Sequence, residues 1–141
     1  MAGEKTFLLE ILTLQQLFLR EEARFVIAPG QEGVFEILPN HASYVFALKP
    51  GPLRIRTPEG RDKYVAVGGG VLVVQKERTT VLTRSAERPE GIDLERARRA
   101  KERAEERLRQ KTPDVDLARA QAALQRALAR LKVADYTAGK Q

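Results

Sequence analysis

The N-terminal part of the chain alternates between short runs of β-branched or aromatic residues and clusters of proline and glycine. Leu53, Ile55 and Thr57 fall on one face of the run LRIRT. Arg54 and Arg56 fall on the other face, which is the pattern of a half-exposed strand. Short strands at this spacing predict a small antiparallel β-sandwich or barrel. The predicted strands are TFLLEIL, LFLR, RFVIA, SYVFAL, PLRIRT, KYVAVGGGVLVV and TTVLTRSA.

The hydrophobic pattern changes where the segment ERPEG begins. Pro89 and Gly91 mark a linker over residues 87–91, which follows a β domain over residues 1–86. Alanine, arginine and glutamate then dominate, with apolar residues at helical spacing. The sequence therefore predicts a helical region over residues 92–136.

The helical region contains one break, at the segment KTPD. Thr112 can cap a second helix there, and Pro113 suits its first turn. Two helices joined by so short a break lie antiparallel, as an αα-hairpin. The first helix offers mainly alanine to the interface and the second mainly leucine. Since alanine buries little apolar area, we expect a weakly packed hairpin, followed by a flexible tail over residues 137–141. The predicted seam of the second helix is Leu117, Ala120, Leu124, Leu128 and Leu131.

The triple glycine Gly68–Gly70 has two possible interpretations. Glycine-rich loops can cradle phosphates, but this one fits neither the P-loop nor the dinucleotide-binding spacing. A strand rather than a helix follows it. A bulge or a close crossing of strands is the favoured interpretation.

Composition argues against a catalyst. The 141 residues include no cysteine, and His41 is the only histidine, so disulfides, zinc-thiolate sites and histidine-based triads lack their residues. We expect neither a catalytic residue nor a bound metal. The N-terminus lacks the features of a signal peptide, and no apolar run of about 18 residues predicts a membrane span.

The net charge of +6 is concentrated in the C-terminal part. Residues 1–86 carry 11 basic and 9 acidic side chains (+2), whereas residues 87–141 carry 14 and 10 (+4). The basic region is suited to an anionic partner, which could be a nucleotide, a nucleic acid or an acidic protein surface. A solvated helical face is the alternative.

Three arginines are expected to converge in the hairpin. With a turn near residue 112, Arg96 lies at the level of Arg126 and Arg130 on the second helix. Clustered guanidiniums repel one another unless an anion bridges them, and arginine binds phosphate bidentately. The alternative is an intrahelical network with Asp93, Glu95 and the linker acids.

Four segments of the chain carry a resemblance to a known family: EGVFEILPNHA, YVAVGGGVLVV, IDLERA and ALQRALARLKVA. The first two are similar to a loop and a strand of the epsilon subunit family of bacterial F-type ATP synthases, which the chain resembles over nearly its whole length. IDLERA resembles the family's ATP-binding pattern [I/L]-D-x-x-R-A, and ALQRALARLKVA is similar to its arginine-bearing helix. The resemblance implies ATP as a regulatory ligand, with no required cofactor. The implied ATP-binding residues are Glu87, Ile92, Asp93, Arg96, Ala97, Arg126 and Arg130.

The same resemblance implies a loop that contacts partner subunits, through Glu32, Glu36, Pro39 and His41. Its implied partners are the gamma subunit and the c subunits of the rotor ring. The loop departs from the family pattern at two positions, because Glu36 and Asn40 stand where glycine is usual.

The resemblance implies a non-catalytic subunit of the central stalk, peripheral to the cytoplasmic face of the bacterial membrane and not inserted into it. The hairpin would switch between a folded state, favoured by ATP, and an extended state that meets the catalytic alpha and beta subunits and blocks hydrolysis. The rival hypothesis is a small basic nucleic-acid-binding module. The basic helices contain no aromatic residue for base stacking before Tyr136, and we therefore expect no nucleic-acid partner.

Overall fold

A computed structural model of the chain describes residues 5–110 and 116–139. The predicted β-sandwich followed by two helices is confirmed. The β part contains strands β1 (Phe7–Leu12), β2 (Leu17–Ala23), β3 (Phe25–Gly30), β4 (Gly33–Ile37), β5 (Tyr44–Arg56), β6 (Asp62–Gln75), β7 (Arg78–Thr83) and β8 (Ala86–Glu87).

The strands form one sheet that curls into a sandwich, in the order β2-β1-β7-β6-β5-β3-β4, with β8 paired to β6. All pairs are antiparallel except β1 with β7, which is parallel. Alternate residues of each strand enclose a core of branched side chains, as the half-exposed pattern predicts. Its fully buried members include Leu9, Ile11, Leu53, Ile55 and Leu72.

Two predicted strands are in fact one. SYVFAL and PLRIRT join through KPGP into the single strand β5. Its residues 49–53 have no partner in β3, because that ladder shifts register between Ile27 and Gly30. Pro50 and Pro52 lie in this interval. Proline has no backbone N–H, but at these positions no hydrogen bond to β3 is lost, because β5 and β3 are not paired there. Strand β4 (Gly33–Ile37) was not predicted at all.

The triple glycine lies inside β6 and not in a phosphate-binding loop. A Cβ at Gly70 would collide with the carbonyl oxygen of Leu82, and Gly70 has a φ of 129°. A Cβ at Gly68 would collide with the hydroxyl of Ser85. The predicted close crossing of strands is therefore confirmed.

The C-terminal part contains a short 3-10 helix at Pro89–Gly91, then α1 (Leu94–Gln110) and α2 (Leu117–Thr137). Asp116 caps α2, its side chain accepting the N–H of Arg119. The predicted cap at Thr112 and turn at Pro113 lie outside the described residues.

Neither helix among residues 5–110 and 116–139 is long and apolar enough to cross a membrane. The predicted linker, residues 87–91, consists of the end of β8 and the 3-10 helix. Of the predicted tail, Thr137 still belongs to α2 and residues 140–141 lie outside the described part.

The helices pack on alanines, and the predicted leucine seam of α2 is wrong at two positions. Leu117 is 47% exposed and Leu128 is 36% exposed. Most of the residues buried instead are small. The helix α2 packs on α1 and on the sandwich at the same time, so a single apolar stripe cannot cover both contacts. The buried residues of the two helices are Ala97, Ala104, Ala120, Ala127, Ala129 and Val133.

The hairpin lies against the sandwich through α2, which contacts β5 and β6. Tyr136, in the last turn of α2, packs on Tyr64 of β6 with ring centroids 5.1 Å apart. The structure thus holds the hairpin in a folded posture.

Candidate functional site

A narrow cleft lies where α2 meets the sandwich. Arg126 and Arg130 line it from the helix, four residues apart and therefore on one face. Glu87, Gly68 and Ser85 line it from β8, β6 and the segment before β8. Because Gly68 has no side chain, the Ser85 segment approaches β6 closely, and the carbonyl of Ser85 accepts the N–H of Gly68 at 2.9 Å.

Within this cleft, Arg130 is already paired with an anion. Its Nε donates to Oε1 of Glu87 at 2.5 Å, and each side chain is 31% exposed. The pair joins the helical hairpin to the sheet, since Glu87 belongs to β8. In this structure the carboxylate of Glu87 is the oxyanion that Arg130 binds, and the space left open in the cleft is only about 10 Å³.

Arg126 has no such partner. It is half-buried, and among the described residues it forms no ion pair. A half-buried cation without a counter-ion attracts anionic groups more strongly than a fully solvated one, because screening by water is weaker. Arg126 is therefore the side chain of this cleft best suited to attract an anionic group.

The predicted first-turn residues lie at the start of α1. Asp93 caps the helix as predicted, since its Oδ1 accepts the N–H of Arg96 at 3.1 Å and its carbonyl accepts the N–H of Ala97 at 3.0 Å. The N–H of Ile92 bonds to the carbonyl of Pro89 at 3.1 Å. Ala97 is buried against α2, whereas Asp93 and Arg96 are exposed.

The structure brings together three of the predicted ATP-binding residues, Glu87, Arg126 and Arg130. Arg96 does not line their cleft, and the convergence of all three arginines stays a prediction. Of the alternative network, the described residues show Glu95 paired with Arg98 at 3.1 Å and with Arg99 at 3.9 Å, and no ion pair of Arg96.

The predicted partner loop begins in the turn between β3 and β4 and continues beyond β4. Glu32 lies in that turn and Glu36 in β4, both exposed, while Pro39 and His41 are half-buried. Asn40, at the departure from the family pattern, has a φ of 62°. Asparagine tolerates this left-handed conformation better than most residues, so it can replace glycine there.

The partner loop is flanked by exposed apolar residues that the sequence reasoning missed. Val34 is 72% exposed, Tyr44 61%, Val45 58% and Leu38 50%. Clustered exposed apolar side chains of this kind mark interaction surfaces. In GVFEI, Val34 and Glu36 are exposed while Phe35 is half-buried and Ile37 is buried. This alternation is the sequence signal that predicts β4 and places Val34 on its exposed face.

Outside the cleft, the carboxylate of Asp62 forms ion pairs with two arginines. Burial raises the pKa of Asp62, but hydrogen bonds from Arg56 and Arg54 outweigh burial and hold it below its usual range. Asp62 in turn raises the pKa of Arg56. Oδ2 of Asp62 lies 2.7 Å from Nη2 of Arg54, and Oδ1 lies 2.5 Å from Nε of Arg56. These ion pairs join β5 to β6.

Comparison with known proteins gives the family. The profile described as "ATP synthase, Delta/Epsilon chain, beta-sandwich domain" matches residues 6–89. The profile described as "ATP synthase, Delta/Epsilon chain, long alpha-helix domain" matches residues 90–135.

Two relatives match over almost the full length. The chain is 52% identical to the ATP synthase epsilon chain of Pelotomaculum thermopropionicum, over 94% of this chain and 98% of that protein. It is 45% identical to the ATP synthase epsilon chain of Syntrophomonas wolfei, over 94% and 97%.

The fold is also similar to that of a chain in the cryo-EM structure of the Euglena gracilis mitochondrial ATP synthase. That superposition has a TM-score of 0.80 at 22% identity and covers 95% of this chain and 86% of the other.

Proposed function

The chain belongs to the ATP synthase delta/epsilon family, and we propose that it serves in the central stalk, where it joins the catalytic head to the rotor ring. It is a non-catalytic subunit. In this proposal the sandwich binds the gamma subunit and the c subunits at the cytoplasmic face of the membrane. The exposed apolar residues beside Glu32, Glu36, Pro39 and His41 support that placement of the contact.

The hairpin is the proposed regulatory element, with ATP as its ligand. The observation that carries this proposal is the cleft at the junction of α2 and the sandwich, lined by Arg126, Arg130 and Glu87. Arginine forks bind phosphate oxygens bidentately. The proposed site adds Ile92, Asp93, Arg96 and Ala97 at the start of α1, so a nucleotide would link α1 to α2 and the sheet.

ATP would act by selecting the folded posture. The cleft contains residues of both the hairpin and the sheet, so it exists only while α2 lies on the sandwich. A ligand that binds one posture alone shifts the population towards it. ATP is not consumed in this role.

The extended posture would be the inhibitory one. Released from the sandwich, the basic helices would reach acidic segments of the catalytic alpha and beta subunits and block hydrolysis. The net charge of +4 in residues 87–141 supports this attraction.

Isothermal titration of the full chain with ATP tests the proposal. We expect Arg126→Gln and Arg130→Gln each to weaken binding by about 1.5–3 kcal/mol, the usual worth of a hydrogen bond to a charged group. Arg119→Gln is the matched control, because Arg119 is exposed on the same helix and its side chain forms no ion pair among the described residues.

A short oligonucleotide titrated at two salt concentrations separates a nucleotide site from general phosphate attraction. If the unsubstituted chain, the Arg126→Gln and Arg130→Gln variants and the Arg119→Gln control all bind ATP with equal affinity, the proposed site is ruled out. Oligonucleotide binding stronger than ATP binding would favour the nucleic-acid alternative.

A further inference from the structure

A second, larger depression separates α2 from the sandwich on another side of the helix. It has a volume of about 600 Å³ and a lining that is more apolar than polar. Its apolar lining includes Pro29, Pro50 and Pro52 on the sandwich side and Leu128 and Ala129 on the helix side. We call this depression the α2 groove. The candidate ATP site uses a different set of side chains, with only Ala129 common to both linings.

The charged residues that line the α2 groove are all cationic. Lys49 and Arg54 line it from β5 and Lys132 from α2, and no acidic residue lines it. Asp62 neutralises Arg54, but in the described parts of the chain neither Lys49 nor Lys132 takes part in an ion pair. The groove thus combines apolar side chains with two positive charges that have no ion-pair partner among the described residues, one from β5 and one from α2.

The shape of the groove selects an elongated occupant. Its helical wall extends from Gln121 to Tyr136, which corresponds to roughly 22 Å along the helix axis. That length matches about four turns of a helix, and Gln121 and Gln125 offer side-chain amides along it. A concave, two-walled groove accommodates a chain segment better than it accommodates a flat bilayer surface.

We propose that the α2 groove docks an acidic, amphipathic segment of a partner protein. Apolar side chains of that segment would cover Leu128 and the prolines, and its carboxylates would meet Lys49 and Lys132. Because the two lysines belong to β5 and α2, the segment binds only the folded posture and stabilises it by linkage. This docking needs no nucleotide, so it goes beyond ATP sensing.

Fluorescence anisotropy with the full chain tests the proposal. The probe is a labelled helical peptide of about 15 residues, to match the groove, with leucine on one face and glutamate on the other. We expect Lys49→Gln combined with Lys132→Gln to weaken binding by about tenfold, from two exposed ion pairs. Lys76→Gln combined with Lys5→Gln is the matched control, since both lysines are exposed, form no ion pair among the described residues and lie outside the groove lining, and it should retain the affinity.

Several results would overturn the proposal. One is equal binding of a peptide with lysine in place of glutamate. Others are equal losses in the two double variants, or self-association of the chain that buries Leu128. Binding of phosphatidylglycerol vesicles in place of the acidic peptide would assign the groove to lipid and also contradict it.

Discussion

The two regions of this molecule bury very different side chains. The sandwich encloses branched residues such as Leu9, Ile55 and Leu72, all fully buried. The hairpin buries alanines, and its leucines at positions 117 and 128 remain partly exposed. A buried leucine or isoleucine contributes about 1.5–3 kcal/mol, whereas each buried methyl-sized group contributes about 0.8 kcal/mol.

We propose that this difference makes the sandwich the fixed region of the molecule and the hairpin the region that moves. The sandwich has its own core, and we propose that it forms an independent domain. The hairpin instead depends on docking contacts such as Tyr64 with Tyr136 and Glu87 with Arg130. A region held by few, small contacts can leave its position without unfolding the rest.

The largest expected effect separates the two regions by stability. Leu72→Ala should lower the free energy of unfolding by about 2–5 kcal/mol, because it empties a fully buried site. Leu128→Ala should cost less than about 1 kcal/mol, because that side chain is already partly solvated. Urea unfolding followed by circular dichroism measures both. Equal losses would contradict the contrast between the regions.

A smaller effect is expected at the contact that joins them. Without nucleotide, Glu87→Gln should weaken hairpin docking by about 0.5–1 kcal/mol, because the pair with Arg130 is partly screened by water. Amide hydrogen exchange in α2 should then rise by about two- to fivefold, with β6 unchanged.

Glu95→Gln is the control for that substitution, since Glu95 pairs only within α1, with Arg98 and Arg99. The same rise in α2 for both variants would show that the contact between Glu87 and Arg130 does not hold the hairpin.

Sequence patterns predicted the sandwich well because strand faces alternate strictly. The burial of Leu53, Ile55 and Thr57 follows directly from that alternation. The patterns failed where tertiary context overrides local signals. Pro50 and Pro52 would normally end a strand, but β5 continues through them beside an interrupted ladder.

The candidate site could be predicted only in part, for a similar reason. The spacing of Arg126 and Arg130 places them on one face of α2. The pairing of Arg130 with Glu87, and the cleft that Arg126 shares with them, depend on how α2 docks on the sheet, which no local pattern encodes. Arg96 was placed by assuming a symmetrical hairpin about residue 112, a position outside the described residues.

The smallest expected effect lies within the sandwich and depends on pH. Arg54 and Arg56 hold the pKa of Asp62 low, so its charge stabilises the fold above its unfolded pKa of about 3.9. That contribution is lost as the pH falls through the lower folded-state value. Asp62→Asn should therefore cost less than about 1 kcal/mol at neutral pH.

Urea midpoints of both proteins at a series of pH values measure this difference. It should shrink as the pH falls below about 4, and the Asn variant should lack this part of the acid sensitivity. A difference that grows on acidification would contradict the assigned pair.

The most direct test of the account is the distance between the sandwich and the far end of α1. The chain has no cysteine, so Glu59→Cys and Gln110→Cys, both at exposed positions, provide two specific sites for spin labels. We expect a broad distance distribution without nucleotide that narrows to the folded distance with ATP. Combining Arg126→Gln with Arg130→Gln should abolish the response. A distribution that ATP leaves unchanged, or a response that survives in the double arginine variant, would contradict it.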